Sequence, residues 1–124
     1  MSDVTFKEIA DLIQKHLEER GWEHNPPRGL ATSIALEASE LLEHYQWSDK
    51  PVGNKDELAG ELADIFIYAF QFAQVNNIDI PAAITKKLAE AAKKYPAEKF
   101  KGKDMAQQRA AWIEAKLNHK KQGL

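Results

Sequence analysis

One stretch of the chain, residues 55–75, restricts the possible folds more than any other. Its apolar residues cover nearly all of the surface that a helix would present at about 100° per residue. One line along this helix is acidic, because Glu57, Glu61 and Asp64 precede Tyr68 at helical spacing. A helix that is apolar nearly all round is buried, so we expect Asp64 to be buried with the residues around it.

The helical period also dominates the rest of the chain, and the alternation typical of strands is almost absent. The pattern predicts helices over residues 4–20, 30–46, 55–76, 79–94 and 104–121. We therefore expect an all-α fold, with a four-helix bundle core and an extra C-terminal helix. The absence of any long linker predicts a single domain over residues 1–124, in which residues 104–124 form a helical extension.

Several residues mark where the predicted helices begin and end. Gly21 ends the first helix, Asn54 is a candidate N-cap for the third, and Asp79 is one for the fourth. Residues 25–29 contain adjacent prolines, which remove backbone donors and restrict the preceding residue. We predict a structured loop there.

The second predicted helix carries its own acidic line inside an apolar face. Ser33, Glu37, Glu40 and His44 follow one another at helical spacing. Bulky apolar residues flank this line on both sides: Ile34, Leu36, Leu41 and Trp47. Two glutamates are therefore expected to lie within the apolar face.

Desolvated carboxylates that converge are unfavourable unless they are protonated, paired with a base or joined by a shared cation. Only Arg28 and Lys55 lie close in sequence to the two acidic helices, and both are near helix starts. Oxygen ligands favour a hard ion, Mg²⁺ or Mn²⁺, over zinc or copper. Iron is less favoured, because His44 follows Glu40 by four residues rather than three. The alternative is a solvated acidic stripe, which the bulky flanking residues disfavour.

Composition and charge exclude several classes of protein. The absence of cysteine excludes a disulfide framework and a Cys-ligated zinc. We expect a cytoplasmic protein without a membrane partner, since no signal peptide or spanning segment is visible. The net charge of −2 argues against a general nucleic-acid binder. That charge is unevenly distributed: residues 1–85 carry 6 Lys/Arg and 15 Asp/Glu, whereas residues 86–124 carry 11 and 4.

The order of short motifs in the chain resembles a known family. Glu37-Ala-Ser-Glu40 precedes Glu61-Leu-Ala-Asp64, a pattern similar to that of the MazG-like, dCTP pyrophosphatase-like all-α nucleoside triphosphate pyrophosphohydrolases. Further motifs extend the resemblance over about residues 4–102: Arg20-Gly21-Trp22, Pro27-Arg28-Gly29-Leu30, Lys86-Lys87-Leu88 and Lys93-Lys94-Tyr95-Pro96.

The resemblance implies hydrolysis of a nucleoside triphosphate to the monophosphate and pyrophosphate. It assigns Mg²⁺, with Mn²⁺ as a substitute, to Glu37, Glu40, Glu61 and Asp64, and by analogy Glu40 accepts the proton of the attacking water. It assigns recognition of the nucleotide base to Trp22, Trp47 and Tyr68, and a contact with the phosphates to Lys87. The implied substrate is a pyrimidine deoxynucleotide such as dCTP, or a modified dNTP.

Two alternatives stay open at the level of sequence. One is an enzyme acting on another nucleotide pyrophosphate, such as a phosphoribosyl-nucleotide. The other is a non-catalytic helical protein that binds metal or nucleotide in regulation or assembly, because Ala91 stands where the family has an asparagine. In either case the apolar surface of the second and third helices predicts a homodimer or a homotetramer.

Overall fold

The computed structural model describes residues 3–121 of the chain. The helices are α1 (Phe6–Glu18), α2 (Pro27–Glu43), α3 (Lys55–Val75), α4 (Ile80–Lys94) and α5 (Met105–Lys121), with a short 3-10 turn at Ala97–Lys99. Residues 3–121 contain no strand, which confirms the all-α class. Across this described range, none of the helices combines the length and apolarity needed to span a bilayer.

The chain divides into two compact units, Met1–Ile80 and Pro81–Leu124, and the boundary falls at the start of α4. The single domain over residues 1–124 and the four-helix bundle core remain predictions. Residues 81–85 carry no charge, so the boundary between the units is also the boundary between the acidic and the basic part of the sequence.

In the first unit, α3 packs along α2 and also contacts α1. The buried apolar residues come from all three helices: Leu17, Leu30, Phe70 and Ala73. The Phe6 ring stacks on Phe70 with its centroid 5.0 Å away, and Gln74 Nε2 donates to the Ala10 carbonyl at 3.0 Å. These contacts fix α1 against the C-terminal half of α3.

Helix α2 begins earlier than the sequence predicts. Pro26 is the N-cap, with an extended backbone, and Pro27 is the first helical residue. The prediction of a loop at residues 27–29 is therefore wrong. Proline suits the first helical position, because its fixed φ is helical and its missing N–H has no partner there in any helix. The Pro26 carbonyl accepts the Leu30 N–H at 3.1 Å and so starts the hydrogen-bonded turn.

Two other predicted boundaries are confirmed. Gly21 follows α1 with a φ of 71°, a left-handed conformation that glycine adopts without strain. Asn54 caps α3, since its side-chain oxygen accepts the Glu57 N–H at 2.9 Å.

The expectation that α3 is buried along its length is wrong for its N-terminal half. Leu62, Asp64 and Phe66 are exposed, and the buried residues of α3 lie further along at Phe70, Gln71 and Ala73. The opposing helix is similar, because Leu36 and Leu42 of α2 are exposed as well. The described chain therefore leaves apolar surface uncovered beside the acidic lines.

We predict that Leu30→Ala lowers the free energy of unfolding by about 2–5 kcal/mol, because it leaves a cavity where α2 meets the core. Chemical denaturation monitored by circular dichroism measures this. The matched control is Leu12→Ala on the exposed face of α1, for which we expect a change within about 0.5 kcal/mol. Equal effects of the two substitutions would contradict the assignment of Leu30 to the core.

Candidate metal-binding site

Four carboxylates from two helices converge in the first unit. Glu37 and Glu40 lie on α2, and Glu61 and Asp64 lie on α3. A spacing of three residues places each pair on one face of its helix. Since α2 packs along α3, the two faces meet, and one oxygen from each of the four residues lies within 4.8 Å of the others.

The carboxylates are only partly shielded from solvent. Glu37 and Glu61 are half-buried, whereas Glu40 and Asp64 are exposed. The Oε2 atoms of Glu37 and Glu61 are inaccessible to solvent and, within residues 3–121, have no hydrogen-bond partner. Buried polar atoms normally have a partner, so two shielded carboxylate oxygens without a hydrogen-bond donor favour a bound cation as that partner.

No lysine or arginine in the described part of the chain forms an ion pair with these four acids. An ion pair with lysine or arginine, one of the three ways to offset the repulsion among these carboxylates, is therefore excluded within residues 3–121. Protonation and a shared cation remain. Carboxylate oxygens at this spacing suit a hard divalent ion, so Glu37, Glu40, Glu61 and Asp64 are the residues that could hold one.

The electrostatics of the cluster act most strongly on Glu37. Burial raises the pKa of its carboxyl above the ordinary value of 4.5, and a side-chain hydrogen bond with Glu40 raises it further. The negative charges of Glu40, Asp64 and Glu61 act in the same direction. Without a cation, the cluster therefore resists full ionisation.

His44 lies beside this cluster. It continues the acidic line of α2 after Glu40, and the structure places its Nε2 3.6 Å from Glu61 Oε1 on α3. The other ring nitrogen, Nδ1, accepts the Gly53 N–H at 3.1 Å. Helical periodicity could not identify Gly53, because it lies in a loop; the only available signal was a glycine next to the N-cap Asn54.

The predicted substrate residues are distributed over both units. Trp22 and Trp47 are exposed, Trp47 by 84%, and Tyr68 is half-buried one turn after Asp64. Lys87 lies on α4 in the second unit. No hydrogen bond or ion pair among residues 3–121 joins these side chains to the four carboxylates, so their assignment to substrate stays a prediction.

A basic cleft in the second unit was not predicted from the sequence. It lies between α4 and α5 with a volume of about 820 Å³. Its charged or titratable lining residues are mostly basic: Lys87, Glu90, Lys93, Lys94, Lys99, Glu114 and His119. The excess of lysine after residue 85 was the signal that could have indicated it.

Comparison with known proteins gives one family and several relatives. Residues 32–108 match the MazG-like family. The chain is 31% identical over 110 residues to dCTP pyrophosphatase 1 of Bos taurus, covering 82% of this chain and 65% of that protein. It is 31% identical over 104 residues to the Homo sapiens protein of the same name, covering 77% of this chain and 61% of that protein. The chain thus spans less than two thirds of either relative.

A solved structure is similar in fold. The crystal structure of a pyrophosphatase from Archaeoglobus fulgidus DSM 4304 aligns with a TM-score of 0.63 and 30% sequence identity. The alignment covers 73% of this chain and 91% of that one. The helical architecture is therefore shared with a protein of known structure.

We predict that Glu37→Gln stabilises the metal-free protein at neutral pH. The raised pKa means that folded Glu37 binds its proton more tightly than unfolded Glu37, so this contribution to stability is complete below the ordinary pKa of 4.5. It is lost as the pH rises through the folded pKa. Thermal unfolding in a chelator, followed from acidic to neutral pH, measures the difference between Glu37→Gln and the parent chain.

The control for this measurement is Glu43→Gln, an exposed glutamate on the same helix and outside the cluster. We expect it to follow the parent chain at every pH. A melting temperature of Glu37→Gln below that of the parent at neutral pH would contradict the repulsive cluster.

Proposed function

The chain belongs to the MazG-like family, and from this premise we propose that it is a metal-dependent nucleoside triphosphate pyrophosphohydrolase. The reaction converts an NTP or dNTP to the monophosphate and pyrophosphate. The observation that carries the proposal is the convergence of the Glu37, Glu40, Glu61 and Asp64 oxygens within 4.8 Å. The relatives named dCTP pyrophosphatase and the pyrophosphatase of similar fold support the same class of reaction.

Mg²⁺ is the proposed cofactor, with Mn²⁺ as a substitute, and the four carboxylates would hold it. When bound, the ion neutralises charge on the triphosphate oxygens and positions water for attack at the α-phosphorus. The shielded Oε2 atoms of Glu37 and Glu61 support this assignment, because they otherwise lack a partner within residues 3–121. The absence of a basic partner in the described chain supports it as well.

Glu40 is the proposed general base. Its side chain is exposed, so a water molecule can reach it, whereas Glu37 is half-buried. The water oxygen bonds to the α-phosphorus while the bond to the oxygen that bridges the α- and β-phosphorus breaks. The electron pair leaves with pyrophosphate, and the water proton passes to Glu40.

Substrate recognition is assigned to three aromatic side chains and a lysine. Trp47 is the first candidate for stacking on the base, because its ring is almost fully exposed and lies four residues beyond the end of α2. Trp22 and Tyr68 are the further candidates, and Lys87 is proposed to contact a phosphate. A pyrimidine deoxynucleotide such as dCTP is the proposed substrate, supported by the names of the two mammalian relatives.

We also propose that the chain assembles as a homodimer or a homotetramer. Leu36 and Leu42 of α2 and Leu62 and Phe66 of α3 are exposed on the two helices that carry the site. Large apolar side chains exposed on two neighbouring helices favour an interaction surface over a solvated one. A second copy of α2 and α3 would cover it.

One departure from the family favours a second candidate function. Ala91, half-buried on α4, stands four residues after Lys87, where the family has an asparagine. The loss of that amide favours a protein that binds metal or nucleotide without efficient turnover. The two candidates differ in whether any nucleotide is hydrolysed.

We predict that the protein hydrolyses at least one member of a panel of canonical and modified NTPs and dNTPs in Mg²⁺. Chromatography should resolve monophosphate and pyrophosphate rather than diphosphate and phosphate. Glu61→Gln and Asp64→Asn should lower kcat/KM by at least about a hundredfold, because each removes a proposed metal ligand with little change in shape. Glu43→Gln, which changes an exposed glutamate of α2 outside the cluster, is the control.

The panel also decides between the two candidate functions. Binding of Mg²⁺ without turnover of any nucleotide would favour the non-catalytic function. Loss of less than tenfold in both ligand variants, with turnover intact, would show that the four carboxylates are not the metal site.

We predict that Trp47→Ala raises KM by about tenfold or more, since stacking contributes about 1–3 kcal/mol per base. Steady-state kinetics measure this effect, and titration with Mg²⁺ alone should show unchanged metal affinity. Trp47→Phe keeps a ring at the position and should recover most of the binding. An unchanged KM in Trp47→Ala would contradict the stacking role.

A further inference from the structure

His44 is the residue that joins the carboxylate cluster to the loop between α2 and α3. It is the C-cap of α2, and its side chain is only 12% exposed. Its carbonyl accepts the Val52 N–H at 2.8 Å, and its ring nitrogen Nδ1 accepts the Gly53 N–H at 3.1 Å. Both the backbone and the side chain of His44 are therefore held by residues eight and nine positions later.

The Gly53 contact decides which tautomer of the ring is present. A nitrogen that accepts a hydrogen bond cannot carry a proton, so Nδ1 is unprotonated. The proton of the neutral imidazole then lies on Nε2, the nitrogen 3.6 Å from Glu61 Oε1. The loop thus directs a positive N–H edge to one oxygen of Glu61.

The two oxygens of Glu61 are consequently not equivalent. Oε1 lies beside the His44 N–H edge, whereas Oε2 is shielded from solvent and, as far as the described residues extend, has no hydrogen-bond partner. The separation of 3.6 Å is longer than a direct hydrogen bond, so the interaction is electrostatic. It favours the carboxylate rotation in which Oε1 faces His44 and Oε2 is the oxygen without a hydrogen-bond partner among the described residues.

Glycine is required at position 53 for reasons of space. A Cβ atom there would lie 2.5 Å from His44 Cε1 and 2.7 Å from His44 Nδ1. On the other side it would lie 2.9 Å from Glu57 Oε2. Any side chain at this position must displace the His44 ring or the Glu57 carboxylate.

We propose that His44 is a positioning residue for Glu61, and that Gly53 sets its tautomer and its place. The pair holds Glu61 with Oε2 ready to bind the cation before the cation arrives. This inference rests on the proposed function, because it takes Glu61 to be a metal ligand. Histidine and carboxylate groups around metal sites act in this way, and their loss commonly lowers metal affinity about 10- to 100-fold.

The first test is the tautomer, which needs neither metal nor substrate. Long-range proton–nitrogen NMR spectra of the metal-free protein at about pH 8 distinguish the two tautomers. We expect the His44 ring to carry its proton on Nε2. Gly53→Ala should change that signal, whereas Gly60→Ala should not, because a Cβ at Gly60 meets nothing within 4 Å. A proton on Nδ1 in the parent protein would overturn the proposal.

The second test is the affinity for Mn²⁺ alone, measured by calorimetry without nucleotide. His44→Leu removes the N–H edge and should weaken binding about tenfold, and Gly53→Ala should weaken it in the same direction. His44→Gln supplies an amide donor and should recover most of the affinity. Gly60→Ala is the matched control and should bind as the parent chain does.

The outcomes separate this inference from the proposed function. If Glu61→Gln weakens Mn²⁺ binding while His44→Leu and Gly53→Ala leave it within twofold, the metal site stands and the positioning role is overturned. If the parent protein binds no Mn²⁺, the proposed function fails, while the tautomer still reports on the Gly53 and His44 geometry. A proton on Nε2, with weaker binding in both variants and recovery in His44→Gln, would support the proposal.

Discussion

The first unit is organised around a repulsion. Four carboxylate oxygens lie within 4.8 Å of one another on two helices that apolar side chains hold in contact. The repulsion appears in the raised pKa of Glu37, which burial and the three neighbouring acids all increase. Packing of α2 along α3 therefore stabilises an arrangement that the charges oppose. A divalent cation at the cluster would offset this repulsion.

Local sequence predicted much of this arrangement. A spacing of three residues on each helix placed Glu37 with Glu40 and Glu61 with Asp64, and Asn54 identified the start of α3 from its capping chemistry. Such local patterns could not predict contacts between residues that are distant in sequence. The partner of His44 depends on how α2 and α3 face each other, and the exposure of Asp64 depends on what covers α3. The start of α2 was missed because adjacent prolines indicate a loop as readily as a helix N-terminus.

The uneven charge of the sequence follows the division of the structure. The excess of acid ends with the first unit, and the excess of lysine belongs to α4, α5 and the turns between them. The two units therefore offer opposite chemistry: one has carboxylates for a cation, and the other has a lysine-rich cleft with Lys87 on its wall. Electrostatic attraction of an oppositely charged ligand to either surface depends on ionic strength.

The contact between Gly53 and His44 limits how the loop that contains it can vary. Residues 52–54 pass in order from the hydrogen bond at Val52, through the ring contact at Gly53, to the cap at Asn54, so each of these three positions has its own hydrogen-bond partner. An inserted residue in this segment would put those partners out of register. Residues 48–50 instead bond mainly to one another, through the Ser48 hydroxyl and the backbone of Lys50. Length differences between homologous loops should accordingly accumulate just after Trp47, next to an exposed ring, and leave the segment beside the carboxylates at constant length.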